Sequence, residues 1–286
     1  MNEKFILMTG RPVADAIASG VMEDVSRLSD MGVTPKLATL RIGNRADDIA
    51  YERAIIKVCR SLNVGTQTCA LPGSASEEEM LKKIEELGRD DSVHGILPFR
   101  PMPGQISISS LKSALPPAKD VDCIGPAGSA AVFDRSLAGF LPCTAEAVME
   151  TMFHYNVPLE GANAVVIGRS MVVGRALALL LLDANCTVTV CHSRTRDIPS
   201  IAGGADLLIC AIGRAKMIDA RYVKAGAVVV DVGINDDGQG GICGDADFES
   251  ISGVAGAATP VPRGIGAVTS TLIVRNTVRA CKRMIG

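Results

Sequence analysis

Residues 161–195, GANAVVIGRSMVVGRALALLLLDANCTVTVCHSRT, constrain the fold more than any other stretch of the chain. AVVIG is an apolar run of strand length closed by a glycine, and it leads into a run rich in Leu and Ala that reads as a helix. CTVTVC supplies a second strand about one crossover later. The unit is βαβ, which requires a parallel sheet. Its first turn brings backbone N–H groups to a helix N-terminus, the place where such folds hold a nucleotide phosphate.

The same alternation runs through the rest of the chain. Val13, Ile17, Val21, Val25 and Leu28 stand at helical spacing and predict a helix over 12–31 that stops at Gly32. PKLATLRIG predicts a strand over 35–43, residues 46–62 a helix carrying Tyr51, Ile55, Lys57 and Cys59, and residues 65–71 another strand. Ser76 and Glu79 form a capping box ahead of the next helix. VHGILPF, 93–99, reads as a strand, and the prolines of RPMPG make the following residues a loop. LPCTA, 141–145, marks a domain boundary, with Thr144 as N-cap of a helix over 145–155. AVVIG, CTVTVC, ADLLICAIG and GAVVVDVGI then give four strands, and a weak last strand is expected near Val254. The tail, 268–285, has helical spacing and packs back on the first domain. The fold class is α/β in two domains: residues 1–143 plus 268–286, and a Rossmann-like domain over 144–267.

Composition narrows the ligand class. A chain of 286 residues with 48% hydrophobic content can build two full cores, and a net charge of -2 gives no general attraction to nucleic acid or anionic lipid. No apolar run reaches the length of a membrane span, so small molecules are the expected ligands. The first 17 residues hold a short apolar patch without an extended signal region, so no secretion signal is expected. The nine cysteines include no CxxC pair and lie mostly inside apolar runs, which suits reduced thiols in a cytoplasmic protein better than a metal site; no metal is expected. His94 and His154 read as structural.

GRSMVVG departs from the G-x-G-x-x-G fingerprint, because Ser170 replaces the second glycine and Gly174 follows Gly168 by six residues. Alone it fits a helix-packing turn as well as a phosphate loop. The end of the second strand adds discrimination. NAD sites place Asp or Glu there for the ribose hydroxyls, whereas this chain has His192, Ser193, Arg194 and Thr195, a set of donors and a cation suited to a 2′-phosphate. With Arg169 in the turn as a second cation, the reading is NADP.

Seven separated motifs extend along nearly the whole chain: KDVD at 119–122, PCT at 142–144, VVIGRSMVVG at 165–174, TVTVCHSRT at 187–195, DVGIN at 231–235, GDADF at 244–248 and TPVPRGIG at 259–266. By these motifs the chain resembles the FolD-type methylenetetrahydrofolate dehydrogenase/cyclohydrolase family. The resemblance implies two α/β domains, a homodimer, a reduced folate held in a cleft, and NADP on the second domain. In that family a hydride passes from the folate's methylene bridge to the nicotinamide, and water then opens the methenyl product to formyl-tetrahydrofolate. The implied cofactor residues are Thr144, Gly168, Arg169, Ser170, Val173, Gly174, His192, Ser193, Arg194, Thr195, Ala211, Gly213 and Ile234. The implied substrate residues are Tyr51, Phe99, Asp122, Pro262, Arg263 and Gly266, with Tyr51 and Asp122 in catalytic positions and Asp122 accepting hydrogen bonds from the pterin.

Several positions leave the family pattern. The family places a catalytic lysine four residues after the tyrosine, where this chain has Ile55, and an active-site glutamine within GILVQLPLP, where GILPFRPMP puts Phe99 between Pro98 and Arg100. Lys57 matches a second, peripheral lysine, and two residues along a helix it points away from Ile55. Cys123 ends KDVDC where the family has glycine, Arg263 stands in the PGG turn, and Asp48 replaces a serine. Ile55 otherwise reads as core, on an apolar face with Ala54 and Val58, and Asp122 as a turn aspartate. The expected activity is an NADP-dependent methylenetetrahydrofolate dehydrogenase with hydrolysis weakened or absent. The alternatives are the bifunctional enzyme, with Lys57 acting through water, and a non-catalytic NADP or folate binding protein.

Overall fold

The computed structural model describes residues 5–134 and 139–286. Residues 1–4, part of the stretch read for a secretion signal, lie outside the described residues. In chain order the elements are β1 (Ile6–Leu7), α1 (Gly10–Asp30), β2 (Lys36–Ile42), α2 (Ala46–Ser61), β3 (Gly65–Leu71), α3 (Glu77–Arg89), β4 (Gly95–Pro98), α4 (Ile108–Ala114), α5 (Pro126–Phe133) and α6 (Cys143–His154). There follow β5 (Asn163–Ile167), a π-helical turn (Met171–Arg175), α7 (Ala176–Asp183), β6 (Thr187–Cys191), α8 (Ile198–Ala202), β7 (Leu207–Cys210), β8 (Val228–Asp231), β9 (Asn235–Asp236), β10 (Ile242–Cys243), α9 (Phe248–Ser252), β11 (Ala257–Ala258) and α10 (Ile265–Ile285). The chain divides into two compact units, Met1–Ala14 with Thr144–Thr269, and Asp15–Cys143 with Ser270–Gly286. The expected division, 1–143 plus 268–286 and 144–267, differs mainly in the first 14 residues. Ile6 and Leu7 pair in parallel with Ala257 and Ala258, which joins the start of the chain to the second sheet.

That sheet has six parallel strands in the order β1-β11-β8-β7-β5-β6. The central strands β5, β7 and β8 read NAVVI, LLIC and VVVD, the near-continuous apolar runs that a sheet covered on both faces demands. β6, TVTVC, is an edge strand and leaves Thr187, Thr189 and Val190 exposed. Ile167 is in register with Cys191 and Cys210, and Cys210 with Asp231, so the carboxyl ends of four strands are level. Their loops therefore emerge along one edge. Val165, Ile167, Leu208, Cys210 and Val229 pack with Ile218, Tyr222 and Ile251 to form the core. The weak strand expected near Val254 lies three residues on, at β11; Val254 itself is in the preceding turn.

The other unit holds a parallel three-stranded sheet, β3-β2-β4, with Leu40 and Ile96 from the sheet packed on Met80 and Ile84 of α3 and Leu111 of α4. The capping box forms at the start of α3: Ser76 Oγ accepts from Glu79 N at 3.1 Å, and Glu79 Oε2 accepts from Ser76 N at 2.7 Å. The 268–285 tail belongs to this unit from Ser270 on, and Lys282 of α10 donates to Asp24 of α1 at 2.7 Å. Two local readings need correction. Thr144 lies inside the first turn of α6, which begins at Cys143, so it is not the N-cap. The buried face of α2 is formed by Glu52, Ile55 and Cys59; Ala54 is exposed and Val58 half-buried. Glu52 is what tilts the helix this way, because its carboxylate accepts from Thr39 Oγ1 at 2.6 Å and Arg41 Nε at 3.1 Å on β2. Among the described residues no helix is long and apolar enough to cross a membrane, and none of the nine cysteines is in a disulfide.

Candidate active site

In the six-stranded unit the chain passes from β5 to β6 on one side and then to β7 on the other, which opens a crevice at the carboxyl end of β5. Gly168 closes β5 at φ +134°, and a Cβ there would lie 2.0 Å from Ala211 O of the loop after β7. A Cβ on Gly174 would lie 2.3 Å from Gly168 O. Two glycines thus let three backbone segments meet, a closeness no side chain permits. The turn between them is π-helical, with Arg175 N donating to Ser170 O at 2.9 Å, and Ser170 at its start makes no side-chain cap bond. This accommodates the six-residue glycine spacing: one extra residue widens the turn.

After β6, residues 192–195 hold themselves in a tight turn. His192 N donates to Thr195 Oγ1 at 2.9 Å, Arg194 N to His192 Nδ1 at 3.1 Å, and Thr195 N to His192 O at 2.8 Å. Ser193 and Arg194 are exposed, as are Arg169 and Ser170, while Val173 is half-buried. Gly168, Arg169, Ser170, Gly174, His192, Ser193, Arg194, Thr195, Ala211, Gly213 and Ile234 all follow carboxyl ends of β5 to β8. Ile234 is 67% exposed, an apolar side chain left open at that edge. Thr144 lies apart in sequence, in the first turn of α6.

Two buried aspartates fix these loops and were not among the residues singled out from the sequence. Asp245 accepts from Ile212 N, Gly213 N and Arg214 N at 2.6, 3.0 and 2.8 Å and from Asn235 Nδ2 at 2.9 Å. Asp231 accepts from Gly233 N, Asp245 N and Ala246 N at 2.8, 3.1 and 2.8 Å. An acidic residue ending the apolar run VVVD was the available signal, since such a carboxylate needs partners. Burial pushes the Asp231 carboxyl up to about 6, against the pull of its three N–H donors. A carboxyl raised in the folded state favours the fold most below its unfolded value near 3.8, and that contribution is lost as pH rises through 6. The Asp231 carboxyl carbon resonance should therefore titrate with a midpoint near 6. A midpoint at or below the ordinary value would mean that the donors outweigh burial.

Pro262 and Arg263 are exposed on the segment leading into α10, and Gly266 is exposed in its first turn. Arg263 has φ +78°, a conformation that favours glycine, and its carbonyl accepts from Gly10 N at 2.8 Å. Replacing Arg263 with glycine should stabilise the protein by about 1 kcal/mol by relieving the left-handed penalty. Thermal unfolding checks this, and a lowered midpoint contradicts it.

The second cluster belongs to the three-stranded unit. Tyr51 of α2 meets Phe99 edge to face, ring centroids 5.7 Å apart and planes at 71°. Tyr51 is 36% exposed overall, yet burial of its hydroxyl, with Asp122 and Cys143 adding to it, pushes that group above the usual tyrosine range. Ile55 is 0% exposed and Phe99 6%, so both substituted positions belong to the packed interior, whereas Lys57 is exposed. Arg100 Nη2 donates to Asp122 Oδ2 at 3.1 Å. Burial raises the Asp122 carboxyl, and the Arg100 guanidinium opposes the shift. Asp122 is therefore a paired carboxylate rather than an open one.

The neighbours in KDVDC are structural. Lys119 Nζ donates to Leu87 O, Gly88 O and Asp90 O at 3.2, 2.8 and 2.8 Å, which satisfies carbonyls at the end of α3. Asp120 accepts from Ile124 N and Gly125 N at 3.0 and 2.7 Å. Cys123 takes φ +55° where the family pattern has glycine. His94 is buried and accepts from Lys36 N at 3.1 Å, and His154 is exposed with its ring against Tyr155.

Known proteins match both units. Residues 8–122 match the tetrahydrofolate dehydrogenase/cyclohydrolase catalytic domain, and residues 142–285 the NAD(P)-binding domain of the same family. A relative described as bifunctional protein FolD 1, from Desulfitobacterium hafniense, is 45% identical over 276 residues, 96% of this chain and 98% of its own. The crystal structure of the bifunctional FolD enzyme from Campylobacter jejuni is 36% identical, covers 98% of this chain and 99% of its own, and superposes with a TM-score of 0.94. The Trypanosoma brucei dehydrogenase-cyclohydrolase, solved with NADP and an inhibitor, is 31% identical with 99% of each chain covered and a TM-score of 0.93. With both family domains present in order and this identity along almost the whole length, the chain belongs to the tetrahydrofolate dehydrogenase/cyclohydrolase family.

Proposed function

We propose that this chain is an NADP-dependent methylenetetrahydrofolate dehydrogenase of one-carbon metabolism, and that it does not accelerate hydrolysis of the methenyl product. The observation that carries the second half is Ile55. It is wholly buried on α2 four residues after Tyr51, where the family pattern has the lysine that manages protons in hydrolysis, and Phe99 fills the glutamine position against the Tyr51 ring. Neither side chain can donate, accept or carry a proton.

The cofactor residues fit a dinucleotide phosphate on their own chemistry. Gly168 and Gly174 let the loops after β5 and β7 and the start of the π-helical turn pack backbone to backbone, which places that turn at the carboxyl end of β5, and residues 192–196 offer Ser193, Arg194 and Arg196 with no carboxylate to repel a 2′-phosphate. NADP, when bound, supplies the hydride acceptor. The protein's part is positioning, for which Arg169, Ser193 and Arg194 hold phosphate, Ile234 and Val173 offer apolar contact, and the Asp245 hydrogen bonds fix residues 212–214. Tyr51 orients the pterin and Asp122 anchors it, with Pro262, Arg263 and Gly266 keeping their substrate assignment. The test is NADP and NAD reduction measured side by side with methylenetetrahydrofolate. Preference for NADP that falls at least tenfold in Arg194→Ala supports the reading, and equal use of NAD overturns the cofactor half.

A second reading is favoured by the names of the relatives, which are bifunctional proteins at 43–45% identity. In it, exposed Lys57 manages the proton through water. Lys57→Met would then abolish hydrolysis and spare dehydrogenation. The homodimer implied by the family belongs to the same proposal, as does a cytoplasmic site of action; light scattering should give about twice 29.8 kDa.

A further inference from the structure

We propose that Arg100 is a specificity-determining and positioning residue, which converts the single carboxylate anchor of Asp122 into a carboxylate–guanidinium pair that reads an N–H and a neighbouring C=O on the substrate ring. This rests on the assignment of Asp122 to the substrate in the proposed function. Arg100 sits on the loop after β4 and Asp122 on the loop before α5, 22 residues away. Their side chains are 28% and 19% exposed, so the pair is largely withdrawn from water yet reachable.

The acceptor count on Asp122 decides what such a site can bind. A carboxylate offers about four lone-pair directions. One is taken by Arg100 Nη2 and one by the Cys143 backbone N–H, while the Cys143 thiol donates to Val121 O at 3.3 Å. With Arg100 engaging Oδ2, Asp122 no longer presents both oxygens free to two adjacent N–H donors of a ring edge. A guanidinium carries five donors and no acceptor, and Arg100 spends one on Asp122. What the pair can still receive is one donor at Asp122 and one acceptor at Arg100. A lactam edge of a pterin presents that combination.

Charge points the same way. Among the described residues the titratable groups acting on Asp122 are Arg100, Asp120, Tyr51 and Cys143, and of these Arg100 is the cation. Without it the carboxylate would sit beside a second aspartate in a desolvated setting, where the protonated form gains. A protonated Asp122 would lose its fixed polarity and with it the ability to tell donor from acceptor.

The test compares the full-length protein with Arg100→Leu and Arg100→Lys, reading kcat and KM for methylenetetrahydrofolate at saturating NADP across pH 5 to 9, and the Asp122 carboxyl carbon resonance without substrate. Arg100→Leu should raise KM about tenfold with kcat within about threefold, because a charge-assisted bond used in ground state and transition state alike is lost. The Asp122 midpoint and the acid limb of kcat/KM should both move up by about one pH unit. Arg100→Lys should restore the midpoint but leave KM raised, since an ammonium keeps the charge without the planar fork. Arg100→Gln serves in place of leucine if that variant does not fold. An unmoved Asp122 midpoint, or an unchanged KM in the neutral variants, overturns the proposal. Should the wild-type chain reduce no NADP, the proposed function fails, and the Asp122 titration still decides whether Arg100 governs that carboxylate.

Discussion

Gly168→Ala should weaken NADP binding at least a hundredfold and lower the unfolding midpoint by several degrees. The added methyl would lie 2.0 Å from Ala211 O, and φ +134° is closed to a side chain in any case. Either the end of β5 or the loop after β7 must shift, and both belong to the carboxyl edge of the sheet, where the phosphate is proposed to bind. Forcing that backbone costs about 3 kcal/mol, which in a chain of this size is worth about 6–12 °C. Fluorescence titration with NADPH reads the binding, and an affinity within threefold of the parent would contradict the assignment of this crevice.

The second large effect is a gain. Ile55→Lys combined with Phe99→Gln should raise methenyl hydrolysis by a hundredfold or more over the parent, the range a placed acid–base group contributes. Ile55→Lys alone should cost about 3 kcal/mol, because a position with no exposure would receive a charge and the nearby Glu52 carboxylate is already engaged by Thr39 and Arg41. The glutamine restores a polar group where Phe99 now meets Tyr51. Burial would also lower the new lysine's pKa toward neutrality, where it can both take and give a proton. Decay of methenyl absorbance measures the rate. A folded double variant with the parent's rate would show that something other than these two positions controls hydrolysis.

The sequence disclosed most where pattern and local chemistry coincide. β5, β7 and β8 were legible because a strand covered on both faces must be apolar throughout, and the Ser76–Glu79 capping box because its spacing is its geometry. β1 and β11 were illegible or misplaced because two-residue strands carry no periodicity; they are defined by pairing alone, β1 with β11 and β11 with β8. The charged positions behaved likewise. Arg194 and Ser193 could be read from the end of one strand, but the contact of Arg100 with Asp122 joins two loops 22 residues apart, and no spacing rule connects them. Asp245 escaped notice for the same reason, since its donors come from residues 212–214 and 235. The packing of Ile55 was open to reading from either side until Glu52, through Thr39 and Arg41, fixed which face of α2 turns inward.

The measurement closest to the central claim is a paired assay on one preparation: NADP reduction with methylenetetrahydrofolate, and loss of methenyltetrahydrofolate compared with buffer alone. Buried Ile55 and Phe99 predict NADP reduction at an enzymic rate together with methenyl loss no faster than the spontaneous reaction. Methenyl loss well above the spontaneous rate would contradict it and leave the bifunctional enzyme in its place.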